Sequence, residues 1–396
     1  MLQRVIPPCA FRTTVERFNA FGAPTIIDEA DGVPTLVNEF WTARQRDAHA
    51  LHEISYRACF KPQLPAFFIE RLTSPGDAVH DPFMGRGTTA IEAARLKRRV
   101  TGSDVNPLAA LLVRPRLAAP DPTEVALRLD ALGLNDAAPA QSELLAFYSP
   151  RTLGQLMALR RRLADPGVDP IDDWIRMVAL NRLSGHSPGF FSVRSMPPNQ
   201  AVSVASQLKI NARLGQTPPD RDVAALILKK TQALLKNGSI EPIAPPALFV
   251  ATADSTPAIP TAEIDLVVTS PPFLDVVRYE ADNHLRNWFA GLDPTTAATA
   301  HLRSLSAWER MVRGALTELA RIVRPGGHVA FEVGAVRKGA LPLDRTVWAA
   351  AAGLPFERLF VMVNAQSFTK TAHCWGVANN AGGVNANRIV VLRRSG

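Results

Sequence analysis

The sequence predicts an α/β protein: a doubly wound, mostly parallel, seven-stranded Rossmann-like sheet with an antiparallel edge strand and a largely helical insertion. Three observations predict it. Short apolar, β-branched runs alternate with helical patterns, the first run ends in a glycine-rich turn that opens a helix, and the stretch from about 118 to 246 interrupts the alternation. The strand runs are 77–83, 99–106, 247–254, 264–270, 327–333, 358–363 and 387–392. Helical patterns follow the first run at 88–97 and fill 307–323 before the turn Arg324-Pro325-Gly326-Gly327. Only an Asn- and Gly-rich loop, 376–387, separates the last two runs, so they are expected to pair antiparallel at a sheet edge. The insertion carries helical patterns at 141–163 and 171–183, an irregular piece at 185–192, and an amphipathic run at 221–236 that ends in Asn237-Gly238. The expected division is an N-terminal extension, 1–40, a sheet domain built from 41–117 and 246–396, and an inserted region, 118–245.

Composition narrows the class. With 396 residues, 47% hydrophobic and 20% charged, wholesale disorder and coiled coils are excluded. Neither a signal-peptide apolar segment at 1–14 nor an apolar run of bilayer-spanning length is present, so a cytoplasmic protein without membrane association is expected. Cys9, Cys59 and Cys374 lie far apart with no metal-ligand spacing, and neither a structural metal nor a disulfide is expected. The net charge is +8, and between 176 and 236 nine Lys and Arg face only Asp220 and Asp222, a local excess of +7. That concentration suits a polyanion, although an amphipathic helix with a solvated basic face accounts for part of it.

Two motifs carry chemistry. In His80-Asp81-Pro82-Phe83-Met84-Gly85-Arg86-Gly87-Thr88-Thr89, glycines let the chain turn tightly at a strand end and approach a ligand, while the next helix offers free NH groups. About 20 residues later Gly102-Ser103-Asp104-Val105-Asn106-Pro107 ends a second strand with a carboxylate placed for ribose hydroxyls. Ala90 stands where a dinucleotide fingerprint needs its third glycine, and no Gly-Lys-Ser/Thr makes a P-loop. A nucleoside cofactor is the reading; an ordinary strand-to-helix turn is its bland rival. The second motif, Asp265 to Phe273, ends in Thr269-Ser270-Pro271-Pro272-Phe273. Two prolines fix φ and donate nothing, so the loop presents carbonyls and a hydroxyl beside an aromatic plane. Such a set suits a planar heterocycle with an exocyclic NH2, its hydrogens accepted by oxygens and its ring stacked on Phe273.

In this order DPFMGRGTT, TGSDVNP and TSPPF resemble the S-adenosylmethionine-dependent DNA amino-methyltransferases, most closely the cytosine-N4 branch; adenine-N6 enzymes more often have Asp or Asn at the position of Ser270. The resemblance runs from about Trp41 and includes Ser55 to Pro65, Asn379-Asn380 and 385–391. It implies that Asp81, Phe83, Gly85 and Gly87 line the methionine part of S-adenosylmethionine, that Asp104 meets its ribose and Asp254 its adenine, and that Phe60 and Lys61 close the pocket. Thr88 and Asn106 complete the implied cofactor set. Ser270, Pro271, Pro272 and Phe273 become the catalytic loop, Phe273 departing from the family's usual Tyr.

The resemblance also implies double-stranded DNA as partner, with a flipped-out target base, a cognate restriction endonuclease as a further candidate partner, and association with the nucleoid through DNA. In the basic insertion Arg182, Arg194, Asn199 and Gln200 have the donor forks used on base edges. Cytosine-C5 chemistry needs a cysteine nucleophile, and Cys9, ahead of the cofactor strand, is read as structural. Adenine-N6 methylation, RNA or protein methylation, and a non-catalytic DNA-binding module are the competing readings.

Overall fold

The computed structural model describes residues 8–42, 48–56, 59–134, 142–165, 169–195, 201–272, 279–293, 304–336, 341–366 and 385–396. A hairpin comes first, β1 (Ile26–Ala30) and β2 (Val33–Asn38). The strands β3 (Ala78–Asp81), β4 (Arg99–Asp104), β5 (Ala247–Val250), β6 (Ile264–Thr269) and β7 (Val323–Val333) follow. A small ribbon, β8 (Ala335–Val336) and β9 (Leu341–Pro342), stands apart, and β10 (Phe356–Gln366) and β11 (Asn385–Arg394) return to the main sheet.

The main sheet has nine strands, in the order β1-β2-β10-β11-β7-β6-β3-β4-β5. All seven expected strands are present, and the two extra ones are the hairpin. Asp31 and Gly32 form its two-residue loop with φ of 56° and 69°, the left-handed pair that matches the twist of flanking strands. Pairing of β2 parallel to β10 puts β10 and β11 inside the sheet and corrects their expected place at its edge. The strand that runs against the rest at an edge is β1, while β11 runs antiparallel between β7 and β10. Two further expectations are shortened. Strand β5 stops at Val250, and the pattern at 141–163 divides into a 3-10 turn, Glu143–Ala146, and a helix, Pro150–Arg162. The break falls where Ser149 caps the Thr152 NH at 3.2 Å and Pro150, with no NH, takes the first helical position.

Both faces of the sheet are covered. On one side the long helix Leu305–Ile322 buries Trp308, Val312, Leu316 and Leu319 against Phe331, Val329 and Val390. The other side carries the helices Gln63–Leu72 and Thr88–Arg95, and its core continues without a break into the insertion, through Val113 and Leu117 to Phe147, Trp174 and Ile227. Trp174, fully buried, donates its indole NH to Thr231 Oγ1 at 3.0 Å and so ties the helix Pro170–Leu180 to the helix Val223–Leu234. The carboxyl ends of β3, β4 and β6 are left free by this layering, as expected for a ligand crevice in an open α/β sheet. Among the described residues no helix is long and apolar enough to cross a membrane.

Candidate active site

At the end of β3 the chain enters the glycine turn with Gly85 at φ 50° and Gly87 at φ 75°. A Cβ on Gly87 would lie 2.4 Å from Val113 Cγ2, so glycine is required there both by conformation and by the close approach of the helix Leu108–Val113. Gly85 NH donates to Asp104 Oδ2 at 2.8 Å, and Asn106 NH donates to Oδ1 of the same carboxylate, also at 2.8 Å. Asp104 is therefore oriented by two strand-end amides, each of its oxygens retaining a lone pair toward the crevice. Asp81, buried, accepts from Thr269 Oγ1 at 2.6 Å and from Phe83 NH at 3.1 Å. Burial pushes its carboxyl up to about 7, the charge of Asp104 acting in the same direction and the hydrogen bonds from Thr269, Phe83 and Thr89 opposing. Burial likewise raises Asp104, against its two backbone donors.

Ser270 follows the last residue of β6 and stands half-buried beside β7. Its hydroxyl hydrogen-bonds the carboxylate of Glu332, a buried residue of β7 whose Oε1 also accepts from Asn387 Nδ2 at 3.0 Å. Burial raises the Glu332 carboxyl above its ordinary value while both of these donors hold it down. Since a carboxylate only accepts, the Ser270 hydrogen points at Glu332 and its lone pairs are left for another donor. The loop is pinned from the far side: Trp308 donates its indole NH to the Pro272 carbonyl at 3.0 Å.

One cavity of about 260 Å³ joins the two motifs. Of the sequence-derived residues, Phe60, Asp81, Phe83, Gly85, Thr88, Asp104, Asn106, Asp254, Ser270 and Pro272 line it. Gly87 and Pro271 stand behind the wall as buried supports, Lys61 is half-buried outside it, and Phe273 lies outside the described residues. Asp254 reaches the rim from an exposed turn after β5 rather than from a strand end. Sequence reasoning gave no role to Tyr56, Cys59, Arg86 and Met311, which also line the cavity, nor to Glu332 and Trp308 behind it. Arg86 is the clasp. From within the glycine turn its guanidinium donates to the carbonyls of Ile54 at 3.1 Å and of His52 and Phe60 at 3.4 Å, holding the upstream segment over the crevice. A signal for Glu332 was legible, an acidic residue inside the apolar strand run Val329-Ala330-Phe331-Glu332-Val333.

Two of the four expected DNA contacts fall among the described residues. Arg182 is half-buried, its guanidinium 4.1 Å from the Phe190 ring centroid, and burial together with the nearby Arg286 lowers it to about 10. Arg194 is exposed; Asn199 and Gln200 lie outside the described residues. Among the described residues no group of His, Cys, Asp or Glu is arranged to hold a metal ion.

The crevice joins a glycine turn, an acidic strand end and a Ser-Pro-Pro loop at the carboxyl edge of an α/β sheet. Residues 29–112 match the family model described as DNA methylase, of the N6/N4 type. Over 74 residues the chain is 34% identical to the type II methyltransferase M.MjaII of Methanocaldococcus jannaschii, and over 65 residues 40% identical to M2.DpnII of Streptococcus pneumoniae. These matches cover 19% and 15% of this chain and only 14% and 24% of those relatives' own length. The matched segment is similar to DNA amino-methyltransferases, at the level shared by their cytosine and adenine branches. Solved structures overlap more loosely. TrmN from Thermus thermophilus aligns with 85% of this chain and 50% of its own at 12% identity and a TM-score of 0.34. An rRNA methylase from Streptococcus thermophilus aligns with 86% and 99% at 9% and 0.32. Overlaps of that size carry no argument about this chain.

Proposed function

We propose that this protein is an S-adenosylmethionine-dependent DNA methyltransferase that modifies the exocyclic amino nitrogen of a base, cytosine N4 by the choice of serine at 270. The observation that carries the reading is the single cavity bounded at one end by Gly85 and Asp104 and at the other by Ser270 and Pro272. The residues present fit the cofactor: a carboxylate with spare lone pairs for ribose hydroxyls, a glycine turn for close approach, and Asp81 to face the positively charged methionine end. Bound S-adenosylmethionine supplies a sulfonium-activated methyl group. The chain does the rest.

Cytosine N4 is a poor nucleophile because its lone pair is delocalised into the ring. Ser270 Oγ, turned outward by Glu332, and the Pro271 carbonyl accept the two amino hydrogens and favour a pyramidal nitrogen. The same prealigned oxygens stabilise the positive charge that develops there as the nitrogen–carbon bond forms, and the surplus proton then leaves to solvent. Fixing the loop through Trp308 means no reorganisation is needed at that moment. The base must first leave the duplex, at a cost of a few kcal/mol. The basic insertion, 118–245, is the region assigned to duplex binding, and the type II designation of the relatives makes a cognate endonuclease a partner to look for.

Incubating duplex DNA with the protein and methyl-labelled cofactor, then separating the nucleosides, tests the reading. Label in N4-methylcytosine is expected. Label only in N6-methyladenine overturns the choice of base, and label in RNA but none in DNA overturns the substrate class.

A further inference from the structure

The helix Val204–Leu214 in the insertion is attached in an unusual way. Ser203 caps its start, with Ser203 Oγ accepting from Ser206 NH at 3.2 Å, and Gly215, left-handed at φ 56°, ends it. Between these caps only Gln207 is buried, whereas Leu208 and Leu214 are 54% and 45% exposed. Instead of an apolar stripe, amide side chains hold the helix. Gln207 Nε2 and Gln216 Nε2 donate to the Arg194 carbonyl at 3.2 and 2.9 Å, both also donate to Asn211 Oδ1 at 2.8 Å, and Asn211 Nδ2 donates to the Ala146 carbonyl at 2.8 Å.

The opposite side is a continuous outward stripe at helical spacing: Ala205, Leu208, Lys209, Ala212 and Arg213, all exposed. It combines two cations with small residues that permit close approach and one apolar side chain. Between 195 and 219 the chain has no Asp or Glu, so nothing nearby in sequence neutralises Lys209 and Arg213. The root of the helix is tied to the short helix Tyr279–Asp282, later in the chain than Ser270: Ala201 NH donates at 3.0 Å to the carbonyl of Asp282.

We propose that helix Val204–Leu214 is the element of this protein that enters the major groove of duplex DNA beside the extruded base, with Lys209 and Arg213 donating to base edges or flanking phosphates and Leu208 meeting apolar base surface. This rests on the methyltransferase reading above. A helix about 10–12 Å across fits a groove about 12 Å wide, and its eleven residues reach about 16 Å along it. Lysine and arginine are the side chains suited to guanine O6 and N7, and an aliphatic group suits the thymine methyl.

The test uses the full chain. Sequencing of modified bases in DNA exposed to the wild type gives the methylated sequence; a short labelled duplex containing it, and a scrambled duplex, are then titrated with wild type, Lys209→Gln/Arg213→Gln and Leu208→Ala. The double variant is expected to raise the Kd for the cognate duplex at least tenfold. It should also flatten the dependence of log K on log salt by about one to two contacts and leave the cofactor Kd and Tm within error. Leu208→Ala is expected to shrink the cognate-to-scrambled ratio with little change in salt slope. Wild-type affinity, salt slope and methylated sequence in both variants overturn the inference while leaving the enzyme reading intact. So does unchanged DNA binding with loss of self-association, which would assign the leucine-bearing face to a protein contact. A wild type that modifies no duplex DNA overturns both.

Discussion

Ser270 has two neighbours with opposite demands: a buried carboxylate that takes its hydrogen and a crevice into which its lone pairs open. On the proposed reading Ser270→Ala removes an acceptor for the reacting amine, so turnover is expected to fall by roughly 10²–10³ with the cofactor Kd unchanged, measured by single-turnover methyl transfer and calorimetry. Glu332→Gln replaces an acceptor by a group that can also donate, so the serine loses its imposed orientation. A smaller fall in turnover, again without change in cofactor Kd, is expected; full activity in the variant would leave Glu332 no positioning role. Asp81 carries a pH prediction. Its folded pKa, about 7, lies above its unfolded value, so the folded protein favours the neutral form and loses stability as pH rises from about 4 toward 7. A cationic ligand favours the ionised form, so S-adenosylmethionine is expected to bind more tightly as pH rises from about 6 to 7.5, measured by calorimetry, with that dependence absent in Asp81→Asn. Residues that end strands, Asp81, Asp104 and Ser270, were legible in the sequence because a polar group after an apolar run has a defined place at a sheet edge. Trp308 and Arg86 were not read, because their roles come from contacts with Pro272 and with the segment 52–60 that one-dimensional spacing does not encode.

At the scale of elements the glycine turn is a fitted part. Gly87→Ala adds a methyl where φ is 75° and Val113 is 2.4 Å away, and a loss of about 2–4 kcal/mol of stability is expected from strain and overpacking together. Denaturant unfolding measures it, and Val113→Ala in the same chain should recover part of the loss if the clash is the cause. The expected helices and the strands β3, β4, β6, β7, β10 and β11 could be read from periodicity because each has a face or stripe to bury, whereas the helix Val204–Leu214, which buries only Gln207, has none and was not expected. The hairpin at 26–38 was left in an extension although Asp31-Gly32 is a strong two-residue turn signal. Its strands carry Asp28, Glu29 and Pro34, which weaken the apolar pattern, and Ile26 and Ile27 are 63% and 58% exposed on the edge strand. The break at Ser149-Pro150 was overlooked for the converse reason: apolar periodicity continues across it while the cap and proline dictate a new helix start.

For the whole molecule, the cavity is assembled from segments far apart in the chain, and one of its lining residues is a chemical reporter. Cys59 is an exposed free thiol on the cavity wall. Saturating S-adenosylmethionine is expected to slow its alkylation several-fold, followed by mass spectrometry of the peptide containing Cys59; equal rates with and without cofactor would put the ligand elsewhere. The insertion shares one core with the sheet face, Trp174 and Phe147 continuing the cluster of Phe67 and Phe68, so the two cooperate in folding rather than hinge freely. That continuity was invisible in the sequence, where the insertion reads only as an interruption.

The pairing of β2 with β10 has a consequence for how the protein is made. Residues 35–38 find their partners only at 361–364, and the Phe40 amide waits for the side chain of Asn364, 324 positions later. During synthesis at about 5–20 residues per second the hairpin leaves the ribosome long before its neighbour exists. For tens of seconds Thr35 to Asn38 lack their strand partner, although Phe40 and Trp41 already have Phe18, Phe67 and Phe68 to pack against. Nascent chains of this protein should therefore be clients of holding chaperones, and chains released early should aggregate through that first hairpin.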